Sequence, residues 1–478
     1  MKHIFLTLIF LLSAVAPLTL RANEHTFPFE PVHNGREYPM LVKGAKGALL
    51  CTYSTRLSPS GHKVGLAISE DEGQTWRHID SISKLRASMF GLQRRPTTVQ
   101  TSNGTLVCTY EDSKTSGEMP RVYMTRSTDN GATWSTAIGV YSGPQAPMQD
   151  FSSMAAGADG NLVVVSVSSD ATESGTHIFL VQSSDHGATW SPPIRVNRKG
   201  WIGKACECCM TSVAIAPDGT VGVAFRANRS NIRDVHTAFS TDGGLTFADP
   251  VRIQDMSWTV DGCPSTGPSI AFDGNSKAHI TWRDFRDGAT QAVVWYASVL
   301  STGTTTPRNV DVSSLAATDS DYPALTVSPD GQKITVTHES SNGLRAAVSE
   351  DGGNTFSSRV IDELVKQNSS VQGVTLNDGR VALAWMAGRD GSFDVAFSGL
   401  TTSDVRQDPF QAPVTKHVFG WLSIQEFDDV VAYDLSGRKI SVIVDSFGQN
   451  RVRPDCNGVA IMVVLSATKQ QFYLVLPE

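Results

Sequence analysis

The chain alternates short apolar runs with Gly-containing turns. Four stretches show the pattern plainly: "PMLVKGAKGALLCTY" from Pro39, "PTTVQTSNGTLVCTY" from Pro96, "MTSVAIAPDGTVGVAF" from Met210 and "PALTVSPDGQKITVTH" from Pro323. Each reads as two strands joined by a hairpin, because runs of strand-forming residues flank a Gly-containing turn. Related units begin near Asp150, Cys263 and Ser370, which makes seven hairpins. A third strand follows each hairpin, and five of these lead into an acidic octapeptide: "SEDEGQTW", "STDNGATW", "SSDHGATW", "STDGGLTF" and "SEDGGNTF". Their aspartates are Asp71, Asp129, Asp185, Asp242 and Asp351, at separations of 58, 56, 57 and 109 residues. The last gap is about twice the others, so a degenerate copy is expected near Ser298. No convincing amphipathic helix pattern intervenes. Repetition of this length predicts an all-β protein, a β-propeller of four-stranded antiparallel blades. Seven blades are expected, with six the alternative. The strand-rich tail from Asp428 to Leu465 could complete the ring or form an extra unit.

The octapeptide itself reads as a structural turn between third and fourth strands. Its Ser and Asp can bond to local backbone N–H groups, its Gly permits positive φ, and its aromatic can plug the outer layer. Catalysis needs different groups converging at one place, whereas these copies repeat around a rim. In a propeller the innermost strands converge on the axis, so the residues at their starts line a central mouth. Counting back from each hairpin turn places Arg36, Gln93, Gln149, Cys208, Cys263, Ser320 and Asn368 there, with Glu37, Arg94, Arg95, Asp150, Glu207, Cys209, Asp321 and Tyr322 beside them. The ends of the second strands add Glu111, Arg226, Arg283, His338 and Glu339.

Composition narrows the classes. At 478 residues the chain exceeds what one compact core usually supports, which favours a modular fold. A net charge of -7 and the lack of a Lys/Arg-rich tract argue against nucleic acid as partner. The start has a short basic head, an apolar run from Ile4 to Leu12 and small residues thereafter. This reads as a signal peptide over residues 1–22, followed by a single propeller domain over 23–478. The expected location is therefore secreted or periplasmic. No later stretch approaches the length of a transmembrane helix.

The five octapeptides resemble the Asp boxes (BNR repeats) of the sialidase, or neuraminidase, superfamily, and the resemblance covers about 400 residues from Tyr38 onwards. It implies a carbohydrate or glycoconjugate ligand and an exo-sialidase type of glycoside hydrolysis. Three arginines would clamp a substrate carboxylate, a tyrosine paired with a glutamate would be the nucleophile, and an aspartate would be the acid/base. "EYPML" resembles the first-blade "RIPxL" motif, with Glu37 where arginine belongs, and "RRPTTV" supplies Arg94 and Arg95 one repeat later. Arg226 and Arg283 complete the set of substrate-binding candidates. "YPAL" resembles the segment around the nucleophilic tyrosine, so the resemblance assigns Tyr322 that role, with Asp150 as acid/base and Glu339 as the glutamate.

Seven cysteines remain, an odd number for an exported chain. "WIGKACECCMTS" is followed one repeat later by "WTVDGCPSTGPS", and this pair resembles a CxCC…GCPxxGP signature in a subgroup of sialidase-like proteins. Cys206, Cys208, Cys209 and Cys263 could therefore gather at one side of the mouth. Disulfides stapling the loops, a thiolate site for copper or zinc, and free reactive thiols all remain open. Cys51 and Cys108, inside second strands, are expected to be buried small hydrophobes. Two other function classes stand beside the hydrolase. One is a non-hydrolytic binding propeller with a cysteine centre. The other is a polysaccharide lyase acting on acidic sugars, for which His338 would be the histidine.

Overall fold

The computed structural model describes residues 36–400 apart from 57–61, 74, 86–95, 113–120, 142–148, 159, 171–172, 202, 287–290, 304–305, 314–319, 342, 363–370 and 390–391. It also describes residues 25–26 and the backbone of strands between 422 and 476. The expected signal peptide, the expected mouth residues Gln93, Arg94, Arg95 and Asn368, and Cys456 lie outside the described residues.

Two compact units divide the chain, residues 1–406 and 407–478. The first contains seven antiparallel sheets in chain order, spanning 36–85 (blade 1), 97–139 (blade 2), 149–195 (blade 3), 204–252 (blade 4), 269–311 (blade 5), 320–362 (blade 6) and 372–400 (blade 7). Blade 7 takes its outermost strand from the other end of the unit: His25 and Thr26 pair with Phe397 and Ala396. Innermost strands of successive blades lie side by side, and Gln372–Thr375 of blade 7 packs against Arg36–Lys43 of blade 1. The β-propeller is therefore a closed ring of seven. The strand-rich tail falls in the second unit. Within the second unit, Phe427–Asp434, Lys439–Ile440, Ala460–Ser466 and Gln471–Leu476 form one sheet, and three shorter strands form another. No helix among the described residues is long and apolar enough to cross a membrane.

The core is distributed rather than central. Every junction between neighbouring blades has its own apolar cluster, such as Val163, Val165 and Leu180 of blade 3 against Val213, Val223 and Phe225 of blade 4. Blades 7 and 1 are joined in the same way through Leu41, Leu49, Cys51, Leu376 and Ala382. Removing one such buried Leu or Phe side chain is expected to cost about 2–5 kcal/mol. Cys51 and Cys108 are both fully buried and unbridged, as the sequence implies.

The octapeptides close the outer hairpins. The Ser127 hydroxyl donates to Asp129 Oδ1 (2.7 Å), and Gly131 N–H donates to the Ser127 hydroxyl (2.8 Å). The Thr133 N–H and hydroxyl donate to the two Asp129 oxygens (2.9 and 2.5 Å). Gly131 takes φ 84°, which a Cβ would oppose. The same bonds recur around Asp71, Asp185, Asp242 and Asp351. Donation from Thr133 and Ser127 holds the Asp129 carboxyl down to about 2. In each of these blades the octapeptide lies at the opposite end from the start of the innermost strand. In blade 6, Ser349 pairs with Ile334, whereas Asp321 pairs with Glu339 at the far end of the same strand.

Candidate functional site

Three innermost strands begin with the same device. Register shifts fall between Glu37 and Met40, between Asp150 and Ser153, and between Asp321 and Ala324. Inside each bulge an aromatic residue is left-handed: Tyr38 (φ 55°), Phe151 (φ 55°) and Tyr322 (φ 46°). Bulky side chains rarely hold this conformation, and the preceding acid supports it. Asp150 Oδ1 accepts the Phe151 N–H (3.0 Å), and Asp321 Oδ1 accepts the Tyr322 N–H (2.7 Å). An acid followed by an aromatic is thus the local code for a bulged strand start at the mouth.

Second-strand ends supply the next ring of groups. Glu111, Arg226, Arg283 and Glu339 pair across their blades with Val122, Val235, Val294 and Leu344, which are structurally equivalent positions. The first three reach sideways to the following blade. Glu111 Oε1 accepts from the N–H and hydroxyl of Ser152 in blade 3 (2.7 and 2.8 Å). Arg226 donates to the carbonyls of Arg233 (2.6 Å), Arg283 (2.8 Å) and Thr266 (3.4 Å), the last two in or leading into blade 5. Arg283 pairs with Asp321 in blade 6. These polar contacts stitch blade 2 to blade 3, blade 4 to blade 5 and blade 5 to blade 6 at the mouth.

This geometry separates the candidates. Arg226 is 1% exposed, stacks 5.1 Å above the Trp258 ring and spends its donors on backbone carbonyls. Burial lowers it to about 10, so it stays charged at neutral pH. Such a guanidinium braces the mouth and presents no fork to a ligand. The sequence suggested a carboxylate binder because an arginine at a strand end carries no mark of which way it points. Arg283 differs: it is partly exposed, lies 5.1 Å over the Phe285 ring and engages a carboxylate already. Arg94 and Arg95 are outside the described residues.

Blade 6 gathers the remaining groups. Tyr322 is half-buried beside Asp321, and Asp321 is the cross-strand partner of the buried Glu339. Burial pushes the Asp321 carboxyl up, with the Arg283 guanidinium pulling the other way. Asp321 was placed at the mouth by the sequence but given no role there, and the acid–aromatic pair shared with Asp150 and Phe151 is the signal that singles it out. Asp150 is buried at the start of blade 3. His338 is fully buried, its Nδ1 lies 3.1 Å from the Glu339 carbonyl, and burial pulls it down to about 4. His338 is therefore a neutral ring enclosed within blade 6.

The cysteines occupy an interruption in blade 4. Lys204–Ala205 and Ser212–Ile215 both pair with Val221–Asn228, and the loop between them holds Cys206, Cys208 and Cys209. Cys206 is bridged to Cys209, and Cys208 to Cys263 from the neighbouring segment. The loop is pinned at both ends, since Cys206 N–H donates to the Arg226 carbonyl (2.8 Å) and the Thr211 hydroxyl to the Phe151 carbonyl (2.8 Å). A Cβ on Gly267 would lie 2.0 Å from the Met210 carbonyl, so the two cysteine segments fit only with glycine there. Glu207 beside them is forked by Arg233 (3.0 and 3.2 Å) and bonded by Asn228 (3.1 Å). The sulfurs of Cys206, Cys208 and Cys209 lie within 4.8 Å of one another, close enough to share a soft metal ion once reduced to thiolates.

Fold and repeat together define a β-propeller built of BNR-type repeats, with its candidate site at one mouth. Residues 96–320 match the BNR repeat-like domain family. No curated protein matches the chain. Among solved structures it is similar to an ulvan lyase from a new family of polysaccharide lyases (12% identity, 78% of this chain, 97% of that one, TM-score 0.50). It is also similar to a protein of unknown function from Dyadobacter fermentans (15% identity, 80% and 98% covered, TM-score 0.49). A third is the intramolecular trans-sialidase from Ruminococcus gnavus in complex with oseltamivir carboxylate (11% identity, 80% and 99% covered, TM-score 0.48). These similarities concern the fold.

Proposed function

We infer that the protein is an exported glycoside hydrolase of exo-sialidase type, acting on acidic glycans at the mouth. The observation that carries this reading is the convergence at the start of blade 6, where Asp321, next to Tyr322, pairs with Glu339 across one strand pair and Arg283 arrives from blade 5. In the proposed reaction Tyr322 Oη attacks the anomeric carbon while Glu339 takes its proton, a transfer needed because a phenol is mostly protonated at neutral pH. Asp150 protonates the leaving-group oxygen and then removes a proton from the water that releases the product. Arg283 binds the substrate carboxylate, exchanging Asp321 for it, and Arg94 and Arg95 join it there. The bulge fixes the Tyr322 backbone, so its phenol starts from a set position.

Release of 4-methylumbelliferone from its α-sialoside tests this. The native chain should turn over, and Tyr322→Phe should lower kcat by on the order of 10³-fold with its melting temperature retained. Inactivity of the native chain towards sialosides overturns the assignment. A lyase reading lacks a usable histidine, His338 being enclosed, and an unsaturated product from a uronate polymer would restore it. Binding of a sialoside without turnover would favour the non-hydrolytic propeller. Copper or zinc enters this reading only for the reduced cysteine cluster, and metal content measured before and after reduction checks it.

A further inference from the structure

We propose that Cys206, Cys208, Cys209 and Cys263 form a two-step thiol–disulfide relay that carries electrons from an external dithiol to a buried bridge. This goes beyond the glycan reading and does not depend on it. The four sulfurs form a graded path: Cys263 is exposed, Cys208 is half-buried, and Cys206 and Cys209 are 1% and 2% exposed. The two bridges approach each other, with Cys206 Sγ 3.7 Å from Cys208 Sγ. A thiolate generated at one of these sulfurs is therefore in contact with the disulfide that contains the other.

The chemistry balances without a further reactant. An external dithiol reduces the outer Cys208–Cys263 bridge and leaves as its own disulfide. The Cys208 thiolate attacks Cys206 Sγ, forming a Cys206–Cys208 bond and expelling the Cys209 thiolate, which takes up a proton. The Cys263 thiolate then attacks Cys208 Sγ, restores the outer bridge and expels Cys206, which is protonated in turn. Two electrons and two protons have moved from the dithiol to the buried pair. One basic group stands at the transfer point: Arg233 Nη1 donates to Cys206 Sγ at 3.4 Å, and its positive charge favours Cys206 as a leaving thiolate. Glu207 shares that guanidinium and moderates the effect. Two inert staples would need neither the 3.7 Å approach nor a cation at the inner sulfur, and both are held by the pinned loop.

The test uses the full oxidised chain with Cys263→Ser. That change leaves Cys208 as a free thiol 3.7 Å from Cys206 of the Cys206–Cys209 bridge. A relay requires Cys208 to displace Cys209, so maleimide trapping followed by peptide mapping should find the label on Cys209 and a new Cys206–Cys208 bond. An intact Cys206–Cys209 peptide with no label on Cys209 overturns the proposal. A second measurement stands if that variant fails to fold. In the Cys208→Ala, Cys263→Ala double variant, dithiothreitol should open the Cys206–Cys209 bridge at least tenfold more slowly than in the native chain, since its access route is gone. An unchanged rate also overturns it.

Discussion

Replacing Arg226 with methionine removes the guanidinium while keeping a side chain of similar length in a site that is 1% exposed. Two short bonds are lost, to the carbonyls of Arg233 (2.6 Å) and Arg283 (2.8 Å), and a longer one to Thr266 (3.4 Å). Each buried carbonyl stripped of its donor costs about 1–3 kcal/mol. Loss of the stacking on Trp258 adds on the order of 1 kcal/mol. Relief from burying a charge returns part of this, which leaves a net loss of about 3 kcal/mol. A ring of roughly 370 residues unfolds with an entropy near 0.8 kcal/mol/K, so the melting temperature should fall by about 4 °C. Thermal denaturation followed by circular dichroism reads it directly. If Arg226→Met melts within about 1 °C of the native chain and instead abolishes glycan binding, the brace assignment is wrong and the residue is a ligand clamp.

Gly267→Ala should destabilise strongly, because its Cβ would sit 2.0 Å from the Met210 carbonyl and force the cysteine segments apart; the denaturation midpoint and the yield of the Cys208–Cys263 bridge report it. Stability should fall with acid in two windows. His279 and His338, neutral in the fold because burial holds each at about 4, take up protons on unfolding, so stability is lost as pH drops from ~6.5 to 4. Asp129, Asp242 and Asp351, held to about 2 by their turn donors, contribute stability above ~4 that is lost as pH falls towards 2. Urea midpoints across this range should show both steps, and a flat profile between pH 7 and ~4.5 would contradict the first. Cys108, fully buried with burial pushing its thiol up to about 12, should resist iodoacetamide in the native chain and react only after unfolding.

The repeat made the architecture legible. Its period, its hairpin turns and its five acidic octapeptides correspond to blades, and counting back from the turns finds the strand starts at Arg36, Gln149 and Ser320. The same count fails at Cys208 and Cys263, because the blade 4 strand is split by the cysteine loop and the blade 5 strand begins only at Ser269. Direction was the harder quantity. Glu111, Arg226 and Arg283 sit at equivalent strand ends, yet whether such a side chain faces the axis or the next blade depends on three-dimensional neighbours that periodicity does not encode. Cysteine pairing was equally hidden, since four cysteines allow three pairings and only the fold brings Cys263 beside Cys208.

The outermost strand of blade 7 sets the order in which this chain can mature. His25 and its partner Phe397 lie 372 residues apart in the chain. Closing so long a loop costs about 5 kcal/mol of chain entropy, which the apolar junctions must supply almost at once. Until the clasp forms, the exposed edge of Ser392–Leu400 remains open to pairing with a strand from another molecule. A clasp whose two halves lie so far apart can form only after the intervening blades have brought them together, so whatever delays one blade delays the closing of the ring.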